Sequence, residues 1–282
     1  MTKMRLALKI TLLLLAIQGC IGGGGPMREK EPVSVYRGVR ADRPPRTVMV
    51  AHRCGANLGP ENTRAAVVQS SFYRPDFYEI DIRHTKDGVA VCLHDETLDR
   101  TTDLSGPVSE LTFDQIENTD AGAWVSPTFS GERIPTFEQM VNSVNPSALA
   151  IELKEPDITM EQCRSMLEIL NKKNDISSVV MSFHLSALES WREAERLSPR
   201  KFPTRTVLLT TKLDDTALNG QQDVVGILKD ACSEEVVEAV HEAGKAVWVW
   251  TVNDDFFSFL EMKVDGIVTD SPDRLRKILP PG

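Results

Sequence analysis

The sequence predicts one α/β domain built as a closed parallel (β/α)8 barrel, and three observations carry that prediction. From residue 48 onward, short β-branched runs alternate with stretches of helical periodicity, the pattern of a parallel sheet wrapped by helices. Eight such units can be counted. They fill about 235 residues, close to the ~250 such a barrel needs, whereas open doubly wound sheets more often stop at about five or six strands.

Taken in order, the barrel strands are expected at Val48 to His52, Phe77 to Ile82, Ala148 to Lys154, Val179 to His184, Thr206 to Thr210, Val224 to Lys229, Ala246 to Thr251 and Gly266 to Asp270. Helices are expected to begin near Glu61, Thr136, Thr159, Ser186, Leu213, Ser233, Asp254 and Ser271. Several of these starts carry a Ser, Thr or Asp whose oxygen can accept from the free N–H groups of a first turn. One further strand, Val89 to His94, breaks the alternation. Only Thr85-Lys86-Asp87-Gly88 separates it from the second barrel strand, and so short an Asp-Gly turn makes an antiparallel hairpin, not a crossover. The hairpin returns His94 to the level of Glu79 and Asp81. The next stretch, 95–135, is irregular and rich in Gly, Pro, Ser and Thr, and a loop that long is expected to be a small insertion over the barrel mouth.

Upstream of the barrel, Lys3 and Arg5 precede an apolar run from Leu6 to Ile17, shorter than the roughly 20 residues that span a bilayer. Residues 1–20 are therefore expected to be an export signal that is cleaved. Ile17-Gln18-Gly19-Cys20 looks like a bacterial lipobox, which makes Cys20 the expected lipid anchor and the chain a membrane-attached protein on the periplasmic or cell-surface side. An uncleaved anchor helix would leave the rest of the chain on that same side. Residues 21–46 lack apolar periodicity and read as a tether, leaving 47–282 for the barrel.

Composition agrees with one large core: 282 residues, 41% hydrophobic and 26% charged. The net charge of -9 and the lack of any long Lys/Arg run argue against a nucleic-acid partner. Beyond Cys20, the cysteines Cys54, Cys92, Cys163 and Cys232 form no C-x-x-C pair and are expected as small buried hydrophobes, with one or two bridges left open.

Catalytic groups of a barrel gather at the C-terminal ends of its strands, and the polar residues cluster there. Alternation puts Glu79 and Asp81 on one face of the second strand, and Glu152 and Lys154 on one face of the third. Three carboxylates meeting in one mouth would repel one another unless a cation joined them, and all-oxygen ligands select a hard ion, Ca2+ or Mg2+. His52 and His94 share the rim and can supply a general base and a general acid. Arg53 and Lys154 can clamp phosphate oxygens, or else neutralise the nearby carboxylates. His84, His184 and His241 lie off this cluster.

Seven short pieces, in this order, resemble the glycerophosphodiester phosphodiesterase family. They are His52-Arg53, Pro60-Glu61-Asn62-Thr63, Glu79-x-Asp81 with Thr85-Lys86-Asp87-Gly88, His94-Asp95 with Leu98-x-Arg100-Thr101-Thr102, Glu152-x-Lys154, Trp250-Thr251-Val252-Asn253, and Asp265 to Asp270. The match runs from about residue 48 to 275. It implies a TIM barrel with a small insertion after His-Asp, a divalent cation held by Glu79, Asp81 and Glu152, acid–base work by His52 and His94, and phosphate contacts from Arg53 and Lys154. Glu61 is placed by the resemblance in the active-site surroundings; by position it opens the first helix, where Asn62 and backbone N–H groups could help bind an anion. Trp250 would wall the glycerol or the leaving alcohol. Cys54 and the loop that follows it depart from the family's usual Gly-rich step, and Arg64 stands where an aliphatic residue is common. The implied reaction hydrolyses a small glycerophosphodiester to glycerol 3-phosphate and an alcohol, with water or the substrate's own 2-hydroxyl as nucleophile. Two alternatives stay open: a lysophospholipase D-like or surface-polymer phosphodiesterase, for which Trp124, Pro127 and Phe129 could offer an apolar approach, and a catalytically silent surface-binding barrel.

Overall fold

A computed structural model describes residues 46–279 apart from 145–147, 174–176 and 201–202. The expected signal segment, Cys20 and the tether through residue 45 lie outside the described residues. The first unit runs β1 (Val48–Ala51), a 3-10 turn at His52–Cys54 and α1 (Arg64–Ser71). Then come β2 (Phe77–His84) and its hairpin partner β3 (Ala90–Cys92), the insertion with α2 (Phe113–Ile116), and α3 (Phe137–Ser143). Five units follow: β4 (Ala148–Leu153) with α4 (Met160–Lys172), β5 (Ser178–Ser182) with α5 (Leu185–Leu197), β6 (Arg205–Thr210) with α6 (Asp215–Asn219), β7 (Val224–Leu228) with α7 (Glu234–Glu242), and β8 (Ala246–Trp250) with α8 (Phe256–Glu261). The last is β9 (Gly266–Thr269) with α9 (Pro272–Leu275).

The sheet order is β1-β9-β8-β7-β6-β5-β4-β2-β3, and β1 also pairs with β2, which closes eight parallel strands into a barrel. The ninth strand, β3, is antiparallel to β2 with His84 opposite Ala90 and Ile82 opposite Cys92. The expected architecture is thus present, with strand ends one or two residues from the sequence reading. Helix starts follow their caps. Thr136 and Thr159 each accept from the N–H three residues on and complete a capping box with Gln139 and Gln162. The first helix departs from expectation. It begins at Arg64, not near Glu61, because Thr63 is its cap: the Thr63 hydroxyl donates to the Pro60 carbonyl and accepts from the Ala66 N–H. Glu61 and Asn62 are left in the loop before it.

Apolar side chains fill three compartments. Inside the barrel, Val48, Val50, Phe77, Ala150, Val207 and Trp248 form a floor, with Phe77 and Trp248 rings 5.3 Å apart. Between barrel and helices lies the largest cluster, including Ile80, Ile82, Phe137, Leu167 and Trp191. The insertion has its own core of Leu93, Leu98, Val108, Ile116 and Ile134, so it is a small lobe packed beside the mouth. The chain enters at the opposite end, where Arg46 pairs with Asp76 and the Thr47 hydroxyl donates to the Val264 carbonyl at 2.8 Å. Cys54, Cys92 and Cys163 are buried and free, as expected, and Cys232 is half-buried and free. Among the described residues no helix is long and apolar enough to cross a membrane.

Candidate active site

The inward face of each strand decides what reaches the mouth. On β2 the inward series is Phe77, Glu79, Asp81; on β4 it is Ala148, Ala150, Glu152. The lower members are apolar and build the floor, while the upper ones are acidic and sit just above it. One carboxylate oxygen from each of Glu79, Asp81 and Glu152 lies within 4.8 Å of the others, and all three residues are buried.

Without a counter-charge this cluster is unfavourable, and the protonation of its members shows it. Burial, then the charge of Asp81, pushes the Glu79 carboxyl up to about 8. Burial and the same neighbour raise Glu152. For Asp81 burial acts upward too, but Lys154, His94 and Arg53 outweigh it and hold its carboxyl below the usual value. Glu79 Oε1 and Asp81 Oδ1 are buried with no hydrogen-bond partner. Unsatisfied buried carboxylate oxygens beside a third carboxylate are what a divalent ion with oxygen preference needs, so the donor set fits such an ion.

The two histidines flank this cluster and are held alike. His52 Nδ1 lies 2.6 Å from Asp270 Oδ1, and His94 Nδ1 lies 2.6 Å from Asp95 Oδ1. In both rings Nε2 is therefore the nitrogen left to exchange a proton. Their proton affinities diverge. Burial acts to lower His52, but the Asp270 hydrogen bond and the charges of Glu79 and Asp270 prevail and raise it. For His94 burial wins over Asp81 and the Asp95 bond, and its pKa falls.

The basic residues are bound to carboxylates. Arg53 donates to Glu61 at 2.9 Å, its backbone N–H donates to Glu79 at 2.6 Å, and its Nε is a buried donor without a hydrogen-bond partner, 3.7 Å from Asp81. Lys154 donates to Glu152 at 2.6 Å and lies 3.3 Å from Asp81 Oδ1. Both stand at the rim beside these acids. Asn62 corrects the expectation of an anion-binding helix start: its amide donates to Asp81 at 2.7 Å and accepts from the Asp81 N–H, and its own N–H is spent on the Arg53 carbonyl. It orients a carboxylate instead. Glu61 takes two bonds from Arg100 and one from Arg53, and these cations outweigh burial to keep it ionised. Trp250 stands at the mouth, donates to the Gly226 carbonyl at 3.0 Å, and meets Phe183 edge to face at 5.3 Å.

Four further residues take part that the sequence offered only as pieces of motifs. Asp270 and Asp95 hold the imidazoles; Asn253 grips Asp270 from both sides, donating to its carboxylate at 2.6 Å and accepting from its N–H at 2.9 Å. Arg100, from the insertion, donates to Asp95 at 2.6 Å and to Glu61 at 2.7 Å. For Asp270 a signal existed, since it continues the inward series Gly266, Val268 on β9. For Arg100 none did, because the lobe's fold decides where it points.

Comparison with known proteins points to one family and one fold. The model of the glycerophosphoryl diester phosphodiesterase family matches residues 52–274. The Bacillus subtilis protein YhdW is 31% identical over 234 residues, covering 81% of this chain and 96% of its own. A second Bacillus subtilis protein, named glycerophosphodiester phosphodiesterase, is 29% identical over 88% of this chain and 91% of its own length. In fold, the chain is similar to an Oleispira antarctica phosphodiesterase solved in complex with the product sn-glycerol-3-phosphate, with a TM-score of 0.75 and 24% identity over 82% of this chain and 95% of that one.

Proposed function

The chain belongs to the glycerophosphoryl diester phosphodiesterase family, and from that premise we propose that it hydrolyses small glycerophosphodiesters to glycerol 3-phosphate and an alcohol, with His52 as general acid and His94 as general base. The observation that carries this reading is the pair of imidazoles, each pinned through Nδ1 by a carboxylate, beside a buried acidic triad. Opposite shifts in two matched groups support these roles: the raised ring keeps its proton to give to the departing alcohol, and the lowered ring is free to take one from the nucleophile. Glu79, Asp81 and Glu152 would hold Ca2+ or Mg2+, which supplies charge stabilisation to the phosphate oxygens. Arg53 and Lys154, at the same rim, add positive charge for the non-bridging oxygens. Trp250 and Phe183 wall the side where the alcohol leaves.

The test is an assay of glycerol 3-phosphate release from glycerophosphocholine by the mature protein, with and without EDTA. Chelation is expected to abolish turnover, and His52→Ala to lower kcat by about 10²- to 10⁴-fold. Full turnover in EDTA, or in the His52→Ala protein, would reject the scheme.

A second substrate, a lysophospholipid, is favoured by one observation: Leu104, Trp124 and Val125 are exposed on the insertion and Phe183 is exposed beside Trp250, apolar groups that a lipid chain could meet. Lysophosphatidylcholine turned over faster than glycerophosphocholine would select it. The proposed location is outside the cytoplasm on a lipid anchor at Cys20, on the strength of the charged, apolar and lipobox-like order of residues 1–20. Labelled palmitate that enters the protein equally well after Cys20→Ala would refute the anchor.

A further inference from the structure

The two histidines of the site come from separate parts of the chain, His52 from the turn after β1 and His94 from the step between β3 and the insertion, and one guanidinium stands between their supports. Arg100 donates through Nε to Asp95 Oδ2 at 2.6 Å and through Nη2 to Asp95 Oδ1 at 3.1 Å, while Nη1 and Nη2 donate to Glu61 Oε2 and Oε1 at 2.8 and 2.7 Å. Beyond Asp95 lies the His94 ring, with Nδ1 at 2.6 Å. Beyond Glu61 lies Arg53, which follows His52 in the chain and donates to that carboxylate at 2.9 Å. Both ends of this line are anchored. Leu98 is buried in the core of the lobe and its carbonyl accepts from the Thr102 hydroxyl at 2.8 Å, which fixes the backbone that carries Arg100. The Asn62 N–H donates to the Arg53 carbonyl at 3.0 Å, which fixes the loop that carries Glu61.

We propose that Arg100 is a positioning residue for the hydrolysis: through Asp95 it holds the His94 imidazole in place against His52, which makes the insertion part of the catalytic machinery. The proposal rests on the acid–base reading above. Asp270 shows what such a support looks like, since Asn253 grips it through both its carboxylate and its backbone N–H. Among the described residues the Asp95 carboxylate has no partners besides His94 and Arg100, so without Arg100 only the imidazole itself would fix it. An exposed ion pair contributes little, but this guanidinium is forked onto two carboxylates, and the Glu61 side chain is only 8% exposed. Four of its N–H groups are spent on those carboxylates, and the single one left cannot clamp a phosphate. A misplacement of about 1 Å in a reacting group can cost about 10²-fold in rate, so a loose Asp95 is felt by the chemistry without touching it.

The test is a mutant cycle with glycerophosphocholine as substrate. Arg100→Ala is expected to lower kcat by about 10- to 100-fold and to change KM by less than about twofold. Asp95→Ala is expected to cost about as much, and the double variant no more than the larger single loss, because the two side chains act as one unit. Arg100→Lys, whose ammonium cannot fork onto two carboxylates, is expected to restore only part of the rate, and it takes the place of Arg100→Ala in the cycle if that protein does not fold. A second readout needs no turnover: the 15N resonances of the His94 imidazole at about pH 8, where the ring is neutral because burial lowers its pKa. Their assignment comes from His94→Gln. The unaltered protein is expected to carry the proton on Nδ1, and Arg100→Ala to show a mixture of the two tautomers. An unchanged kcat, a loss confined to KM, additive losses in the cycle, full activity in Arg100→Lys, or an unchanged tautomer would each overturn the proposal. Failure of the unaltered protein to release glycerol 3-phosphate would reject the reaction instead, and the tautomer alone would then decide the role of Arg100.

Discussion

Asp270 touches His52 through the same nitrogen that Asp95 uses on His94, yet the two rings end with opposite proton affinities because their surroundings differ in burial and charge. Asp270 stabilises the protonated form of His52 by a hydrogen bond and by its charge. Replacing it with Asn removes the charge, so the His52 pKa falls, and the limb of the kcat/KM profile in which activity is lost as His52 deprotonates is expected to move toward acid. A pH profile of Asp270→Asn with that limb unmoved would show that His52 does not depend on this carboxylate. At this scale the sequence was informative wherever a residue's place on a strand fixed its direction. Glu79, Asp81 and Glu152 meet because alternation alone points them inward. The contacts of Asn62 are not legible there because its direction depends on a left-handed backbone (φ 59) just before the Thr63 cap, which strand periodicity does not reveal. The His52–Asp270 contact joins residues 218 apart in the chain and becomes visible only when β9 is laid beside β1.

At the scale of elements, the insertion is knotted by one side chain. The Asp120 carboxylate accepts from the N–H groups of Gly122, Ala123 and Gly131 and from the Ser130 hydroxyl, and these bonds hold its pKa at about 2, below the ordinary 3.8. A depressed carboxyl adds stability above its unfolded pKa and gives it up as pH falls through the folded one. Asp120→Asn is therefore expected to melt below the parent protein at neutral pH, and the gap in Tm to close between about pH 4 and pH 2. A gap independent of pH would show that the charge is irrelevant. In the barrel, the strand β9 has room for no side chain at Gly266, where a Cβ would fall 2.5 Å from Trp248 Cδ1, and that ring is fully buried. Gly266→Ala is expected to cost about 1–3 kcal/mol in denaturant unfolding; an unchanged midpoint would mean the ring can move aside. Strands and capped helices were legible because period and cap residues are local signals. The lobe at 95–135 was foreseen as an insertion, but not its internal core or the reach of Arg100, since neither follows a period.

For the molecule as a whole, pairing β2 with β4 sets three acids side by side and the closed barrel buries them, so the fold must carry their repulsion. Between the ordinary 4.5 of a glutamate and its value of about 8 here, Glu79 holds more proton in the folded than in the unfolded chain. Stability of the cation-free protein is therefore expected to fall as pH rises through that window. Adding Ca2+ or Mg2+ is expected to reverse the fall, by about 2.7 kcal/mol at a concentration 100 times Kd, and to release protons near pH 7. Calorimetry in the presence and absence of EDTA measures both; a cation-independent Tm at pH 8 would contradict them. The eightfold repeat announced the barrel because each unit repeats the same local pattern, while the charge cost belongs to no single unit and arises when β2 lies beside β4 inside the closed barrel. Barrel geometry also sets the way in. The main chain joins β1 at the floor, beside Asp76 and Val264, while His52 and Asp270 mark the far rim. Resin or a sensor chip coupled through a side chain introduced at Thr47 would thus grip the barrel at its floor, with the rim of His52 and Asp270 turned away from the point of attachment.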